Sequence, residues 1–261
     1  MTSIVKSLQF GWTARRAWWF TSSALTRARF ARTTLGSFWL GLSTSISIAL
    51  LATVYGIVFK VDDFTSYVVY LGLGLVAWNT IGASVNSATS LFRSNAGNIK
   101  NKNIHPIFYT LESWSFQVQT FAQSFALVVF LLSFFQPSLF FNLLIFGLFP
   151  LLNLLLFIYW FPLLVSLLGA FFEDLFQLIP VILQLMFLLS PILYTKSRLG
   201  SLGWIVDLNP LYRVLSNLRH SMIEGSFNFV QVIPMLLINV LGLYISLWLL
   251  ERIRPKLPFL V

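Results

Sequence analysis

The sequence predicts an all-α polytopic membrane protein with six transmembrane helices, an N-terminal amphipathic interfacial helix and short outer re-entrant helices between spans five and six. Three observations predict it. Of 261 residues, 57% are hydrophobic and only 10% charged, whereas soluble domains carry about 25% charged residues. The apolar residues fall in long uninterrupted runs, and a hydrocarbon core about 30 Å thick accepts about 20 of them per helix. Finally, the formal charge of +9 comes from basic residues at the borders of those runs, where lipid head groups and the positive-inside rule place them. Membrane lipids are therefore the expected surroundings, and no nucleic acid is expected as a partner.

The elements follow in chain order within a single membrane domain, residues 1–261. Residues 8–33 mix Trp12, Trp18, Trp19, Phe20 and Phe30 with Arg15, Arg16, Arg27, Arg29 and Arg32, a composition suited to a helix lying in the membrane interface. The arginines do not share one clean helical face. They also break the signal-peptide order, so this segment is expected to stay in the cytoplasm. Residues 36–59 and 64–92 contain charge-free runs long enough to cross, giving spans one and two. Residues 113–172 carry no charged side chain over a length too great for one helix. Phe135-Gln136-Pro137-Ser138 reads as the turn between spans three (109–134) and four (139–168). Residues 175–195 make span five and residues 226–250 span six. Between them, residues 196–225 hold apolar pieces too short to cross, such as Leu199–Val206, which read as interfacial or re-entrant helices.

An even number of spans puts both termini on one side. With the N-terminus inside, twelve of the 17 basic residues lie on inner segments and five on outer ones. That bias places both termini and the polar tract LFRSNAGNIKNKNIHP, residues 91–106, in the cytoplasm.

The chemistry that is missing narrows the function. There is no cysteine and no P-loop sequence, so ATP is not bound by that route, and with two histidines in all no histidine-based metal site is expected. No catalytic set assembles around the serines. The spans hold essentially no ionisable residues, with Glu112 at the edge of span three and Glu173 and Asp174 at the inner end of span four. Ion- or proton-driven carriers place such groups inside the membrane. Transport driven by an energy source outside this chain is the stronger reading, and the chain is not expected to be an enzyme.

Uncharged polar side chains do occur in the spans: Asn79, Asn86, Gln117, Gln119, Gln123, Asn153, Gln184 and Asn239. The simpler reading is interhelical hydrogen bonding, worth about 0.6 kcal/mol each. The other is a pore offering hydrogen bonds to a hydroxyl-rich substrate, where Gln119 and Gln123 share a helical face better than either does with Gln117. Most of the aromatics, 17% of the chain, read as lipid-facing or belt residues, and a minority as surfaces for sugar rings. Prolines 150, 162, 180, 191 and 234 fall in or beside spans and are expected to kink them, as structure or as part of a gate.

Several short stretches then resemble one family. Arg29-Phe30-Ala31-Arg32-Thr33-Thr34-Leu35-Gly36-Ser37-Phe38-Trp39 is similar to the pre-span motif of membrane subunits from ABC exporters of polysaccharides, O-antigens and teichoic acids. Tyr70-Leu71-x-Leu73-Gly74-Leu75-x-x-Trp78 resembles the family's second span, and Asn98-Ile99-Lys100 through Pro106 its inner loop. Leu188-Leu189-Ser190-Pro191-Ile192-Leu193-Tyr194 resembles the end of its fifth span. Leu208-Asn209-Pro210-Leu211, with Arg219 and Gly225, resembles its outer re-entrant region. The matches run in order from about residue 27 to residue 225.

The resemblance implies a half-channel in the bacterial inner membrane. It would pair with a second copy and two cytoplasmic P-loop ATPase subunits, and move a lipid-linked glycan out of the cytoplasm. ATP and Mg would sit on the partner, with no cofactor on this chain. The inner loop, with Arg93, Asn98, Lys100, Lys102, His105 and Pro106, would contact the ATPase beside the interfacial helix that carries Arg27, Arg29 and Arg32. Read as topology alone, that loop is a solvated basic turn. Gln119, Gln123, Pro191, Tyr194, Asn209, Pro210 and Arg219 are the candidates for channel or gate. At the inner turn after span four the family has Arg-Asp where this chain has Glu173-Asp174, and pairing of these acids with Arg27, Arg29 or Arg93 is expected. An exporter of teichoic acid, another lipid or a small molecule, and a membrane scaffold that moves nothing, are the competing functions.

Overall fold

The computed structural model describes residues 2–102 and 104–261. Two helices, α1 (Thr2–Thr13) and α2 (Arg15–Phe30), stand where one interfacial helix over 8–33 was expected. The break falls at Ala14, whose φ of −81° and ψ of 7° leave the helical region. The face that α2 buries is its hydroxyl stripe, Ser22 and Thr26, one turn apart and packed on the third span. Trp19 and Phe20 remain exposed, as do Arg15, Arg16, Arg27 and Arg29.

Spans one and two are α3 (Phe38–Val58) and α4 (Phe64–Ala88). Asp63 starts α4 as its N-cap, its carboxylate accepting from the Ser66 backbone N–H at 3.1 Å and the Ser66 hydroxyl at 2.6 Å. Span two was expected to run to residue 92. It stops at Ala88, and two short helices follow, α5 (Leu91–Ser94) and α6 (Ala96–Asn101). Asn and Ser side chains compete for the backbone here, as when the Asn95 amide donates to the Leu91 carbonyl at 2.9 Å.

Span three is α7 (Ile107–Leu132). Span four joins α8 (Ser138–Asn142), a π turn at Leu143–Gly147 and α9 (Leu148–Phe171) into one apolar rod. The turn between them at Phe135–Pro137 lies where proline and serine place it. Span six is α13 (Phe229–Ile253), followed by a 3₁₀ turn and α14 (Leu257–Leu260).

Among the described residues, five helices are thus long and apolar enough to cross a membrane. The expected fifth span is shorter. Helix α10 (Leu175–Leu189) has 15 residues, about 22 Å at 1.5 Å per residue, and the stretch 190–194 that was assigned to it is not helical. Pro191 is the reason: its ring forces the preceding residue out of the α region, and Ser190 stands at φ −87° and ψ 134°. A 3₁₀ turn (Lys196–Leu202), α11 (Gly203–Leu208) and α12 (Pro210–Glu224) then fill the expected re-entrant region. Asn209 caps α12 by accepting from the Leu211 N–H, with Pro210 at the first helical position. Gly225 ends α12 at φ 61°, a left-handed conformation where a Cβ would also press on Asn142 at 2.8 Å.

The core sits around α4, which is buried on nearly every side by α3, α7, α9 and α12. The outward faces stay apolar: Ile57 is 74% exposed, Phe134 73% and Val230 84%. Large apolar faces of this kind are at rest only against lipid or another protein. Helix α10 buries Leu183 alone.

Candidate functional site

Two polar clusters stand at opposite ends of the bundle. The first gathers every segment expected on the inner side. His105 accepts the Ile107 backbone N–H on Nδ1 at 3.2 Å, which leaves the proton on Nε2. That Nε2 lies 3.0 Å from the Ser7 hydroxyl oxygen and 3.2 Å from Glu251 Oε1. The hydroxyls of Ser3 and Ser7 both donate to the Glu251 carboxylate. Helix α1, the inner loop and the end of span six are tied together at one point, so both ends of the chain and that loop share one end of the molecule. Burial, and after it the nearby Arg254 guanidinium, push the His105 pKa down; Glu251 opposes them.

Beside it, Arg93 pairs with Glu173 at 3.2 Å, linking the inner loop to the turn after span four. Arg27 instead reaches its own helix at the Ser23 carbonyl, and Arg29 lies over the Phe30 ring at 5.6 Å. Arg32, Lys100 and Lys102 are exposed, Asn98 is half-buried, and Pro106 opens α7 as its cap residue. The structure thus pairs Arg93 with Glu173, and separately brings His105 together with groups that sequence reasoning missed, Ser3, Ser7 and Glu251. The signal was weak, two serines at i and i+4 on α1.

The second cluster, at the other end, is built around the extended segment Ser190–Tyr194. Tyr67 donates to the Leu193 carbonyl at 2.6 Å, and Tyr70 to the Pro191 carbonyl at 2.9 Å. Asn209 donates to the Ser190 hydroxyl at 2.9 Å, and Arg219 Nη1 to the Pro191 carbonyl at 2.9 Å. Residues Pro191, Tyr194, Asn209, Pro210 and Arg219, singled out from sequence, therefore do converge. The Pro191 and Leu193 carbonyls, in a segment without helical bonds, are taken up by three side chains from α4 and α12, Tyr67, Tyr70 and Arg219, while Asn209 holds the Ser190 hydroxyl.

Arg219 is buried, with its guanidinium carbon 3.7 Å from the Tyr70 ring centroid. Its Nε and Nη2 lack hydrogen-bond partners, and among the described residues no carboxylate pairs with it. The space it occupies exists because residue 74 is glycine: a Cβ there would collide with Nη2. Tyr67, Tyr70 and Gly74, which complete the clamp, lie along one face of α4 at spacings of three and four.

Four of the eight uncharged polar side chains named in the spans, Gln117, Gln119, Asn153 and Asn239, join helices, while Asn79, Asn86 and Gln184 are exposed. Gln119 donates to the Ser22 hydroxyl at 2.9 Å and the Ser115 hydroxyl at 3.1 Å, fastening α2 to α7. Gln123 is exposed. Asn239 donates to both oxygens of Asn153 and accepts from Trp160 Nε1 at 2.9 Å, so α13 and α9 share a fully buried amide lock.

Residues 21–223 match the family described as ABC-2 type transporter. The chain is also 24% identical over 239 residues to a Klebsiella pneumoniae protein named "O-antigen export system permease protein RfbA", covering 88% of this chain and 89% of the relative. A second protein of the same name and organism is 24% identical over 212 residues, covering 78% of each.

Proposed function

The chain belongs to the ABC-2 type transporter membrane family, and on that footing we propose that it is the permease subunit of an ATP-driven exporter of lipid-linked polysaccharide, of the O-antigen or capsule-like kind. It is an all-α polytopic membrane protein, and membership makes it the membrane component of an ABC transporter rather than an enzyme. The observation that carries the substrate class is the likeness to two O-antigen export permeases along most of both chains.

In this reading two copies and two cytoplasmic ATPase subunits form the working unit, in the bacterial inner membrane with both termini cytoplasmic. ATP and Mg bind the partner, and this chain binds no cofactor. The end that holds α1, the inner loop and α14 faces the ATPase. What supports this is the inner bias of basic residues and the meeting of Ser7, His105 and Glu251 at one end. Motion of the inner loop would reach span six through Glu251 and the turn before α10 through Glu173. Helix α10, with Phe176, Val181, Leu185 and Leu188 all exposed, is the face offered to the second copy.

The test is export itself. In a strain that lacks its own O-antigen permease, co-expression of this chain with its ATPase partner is expected to restore polysaccharide to the cell surface, read with a surface-specific antibody. Assembly of the complex with no polysaccharide at the surface in any acceptor strain would sink the substrate class.

A further inference from the structure

Apart from both clusters lies a cavity of about 630 Å³, open on one side, between α2, the end of α4, the α5–α6 loop and the first half of α7. Its size suits a small ligand, for which pockets of about 300–1,000 Å³ are usual. From the geometry of this cavity we infer a saccharide-binding site on the permease itself, one that takes a neutral, hydroxyl-rich sugar unit. The inference rests on the export reading only in naming the glycan as the natural source of that unit.

The lining chemistry carries it. Amides and hydroxyls dominate the polar part: Asn95, Asn98, Ser113, Gln117 and Tyr109. Such groups both give and take hydrogen bonds, which is what a ring of hydroxyls presents. Phe108 and Phe116 line the same wall and offer flat apolar surfaces. The charged lining is one lysine, Lys102, and one glutamate, Glu112, which cancel and give an anion no advantage.

The second observation is independent of composition. Tyr109 is 3% exposed, yet its hydroxyl has no hydrogen-bond partner among the described residues. A buried hydroxyl left unpaired is destabilising, and such a group in a native fold calls for a partner. That hydroxyl is closed to solvent, so a ligand hydroxyl in the adjoining cavity supplies the partner once a lining side chain shifts aside. Gln117 spends its amide N–H on Ser87 at 3.1 Å, which holds it in place. This gives the asparagines of the inner loop a task besides breaking the helix: Asn95 and Asn98 line the cavity.

The chain has no cysteine, so a single Ser113→Cys reports on the cavity without background. The full-length permease in phosphatidylcholine nanodiscs is treated with a small maleimide, with and without millimolar maltotriose, mannobiose or galactobiose. At least one disaccharide or trisaccharide is expected to slow modification several-fold. A Gly97→Cys control, where a side chain meets open space, is expected to react at an unchanged rate. Adding Tyr109→Phe is expected to weaken protection while leaving the thermal midpoint equal or higher, because the unpaired hydroxyl is gone. A midpoint that falls in Tyr109→Phe would mark the hydroxyl as structural and overturn the inference. No protection by any saccharide, equal protection of both cysteines, or protection by inorganic phosphate or anionic phospholipid instead would overturn it too. Export is scored separately in cells with the unsubstituted chain. Export without protection removes this site and leaves the exporter standing, and protection without export does the reverse.

Discussion

A guanidinium buried without a carboxylate, as at Arg219, costs several kcal/mol of desolvation that one carbonyl and one aromatic ring offset only in part. Replacing such a charge with an apolar side chain of similar volume is often neutral or stabilising. Arg219→Met is therefore expected to leave the thermal midpoint of the purified permease equal or higher, while export falls because Pro191 loses its hold. A large loss of stability would mean that the guanidinium is needed for folding. At His105 the direction is opposite to that of a histidine paired with a carboxylate alone. Its pKa is lowered, so the folded state resists a proton that the unfolded chain accepts near pH 6.5. Stability then rises with pH through that value and is lost as pH falls below it. Protonation at Nδ1 would also break the bond from the Ile107 N–H. The thermal midpoint is expected to be lower at pH 5.5 than at pH 7.5, and His105→Gln to shrink that difference.

Elements are held to one another by devices of unequal strength. The Asn153–Asn239–Trp160 lock between α9 and α13 is fully buried, so Asn239→Leu strands the Trp160 N–H and an Asn153 oxygen. A cost of about 1–2 kcal/mol is expected in detergent unfolding. The Arg93–Glu173 pair is a different case, because the Glu173 side chain is 83% exposed. Charge reversal by Glu173→Arg is expected to change stability by less than about 1 kcal/mol. If the pair relays motion between the inner loop and the turn before α10, that variant lowers export and the double swap with Arg93→Glu recovers it. Export unchanged in Glu173→Arg would dismiss the relay. Lys100→Glu with Lys102→Glu is expected to weaken co-purification of the ATPase while membrane insertion stays intact; lost insertion would show that these lysines act through topology.

At the scale of the molecule, the expectation is that the permease purified from every partner hydrolyses no ATP, measured as phosphate release. How much of this could be read in advance depends on the range of the forces involved. Apolar runs and turn residues are local, and they gave the helices and their order. The end of span five was misjudged because hydrophobicity runs on past Pro191, while the backbone obeys the proline. The convergence of Pro191, Asn209 and Arg219 was within reach as a motif, but Tyr70 as their ring and Gly74 as their space required the third dimension. Ser7 and Glu251, 244 residues apart, meet through folding alone.

The shortness of α10 has a consequence for the lipid around it. A rod of about 22 Å leaves a deficit against hydrocarbon of about 30 Å, which a bilayer meets by thinning locally or the protein by extending an end. Ser190–Tyr194, pinned by side chains rather than by helical bonds, is such an extension. Bilayer thickness then acts as a load on the clamp: thin membranes relax it and thick ones pull on it. Reconstitution into a series of acyl-chain lengths is expected to give a turnover optimum at short chains, and Pro191→Ala, which lets the helix lengthen, to move that optimum toward longer ones.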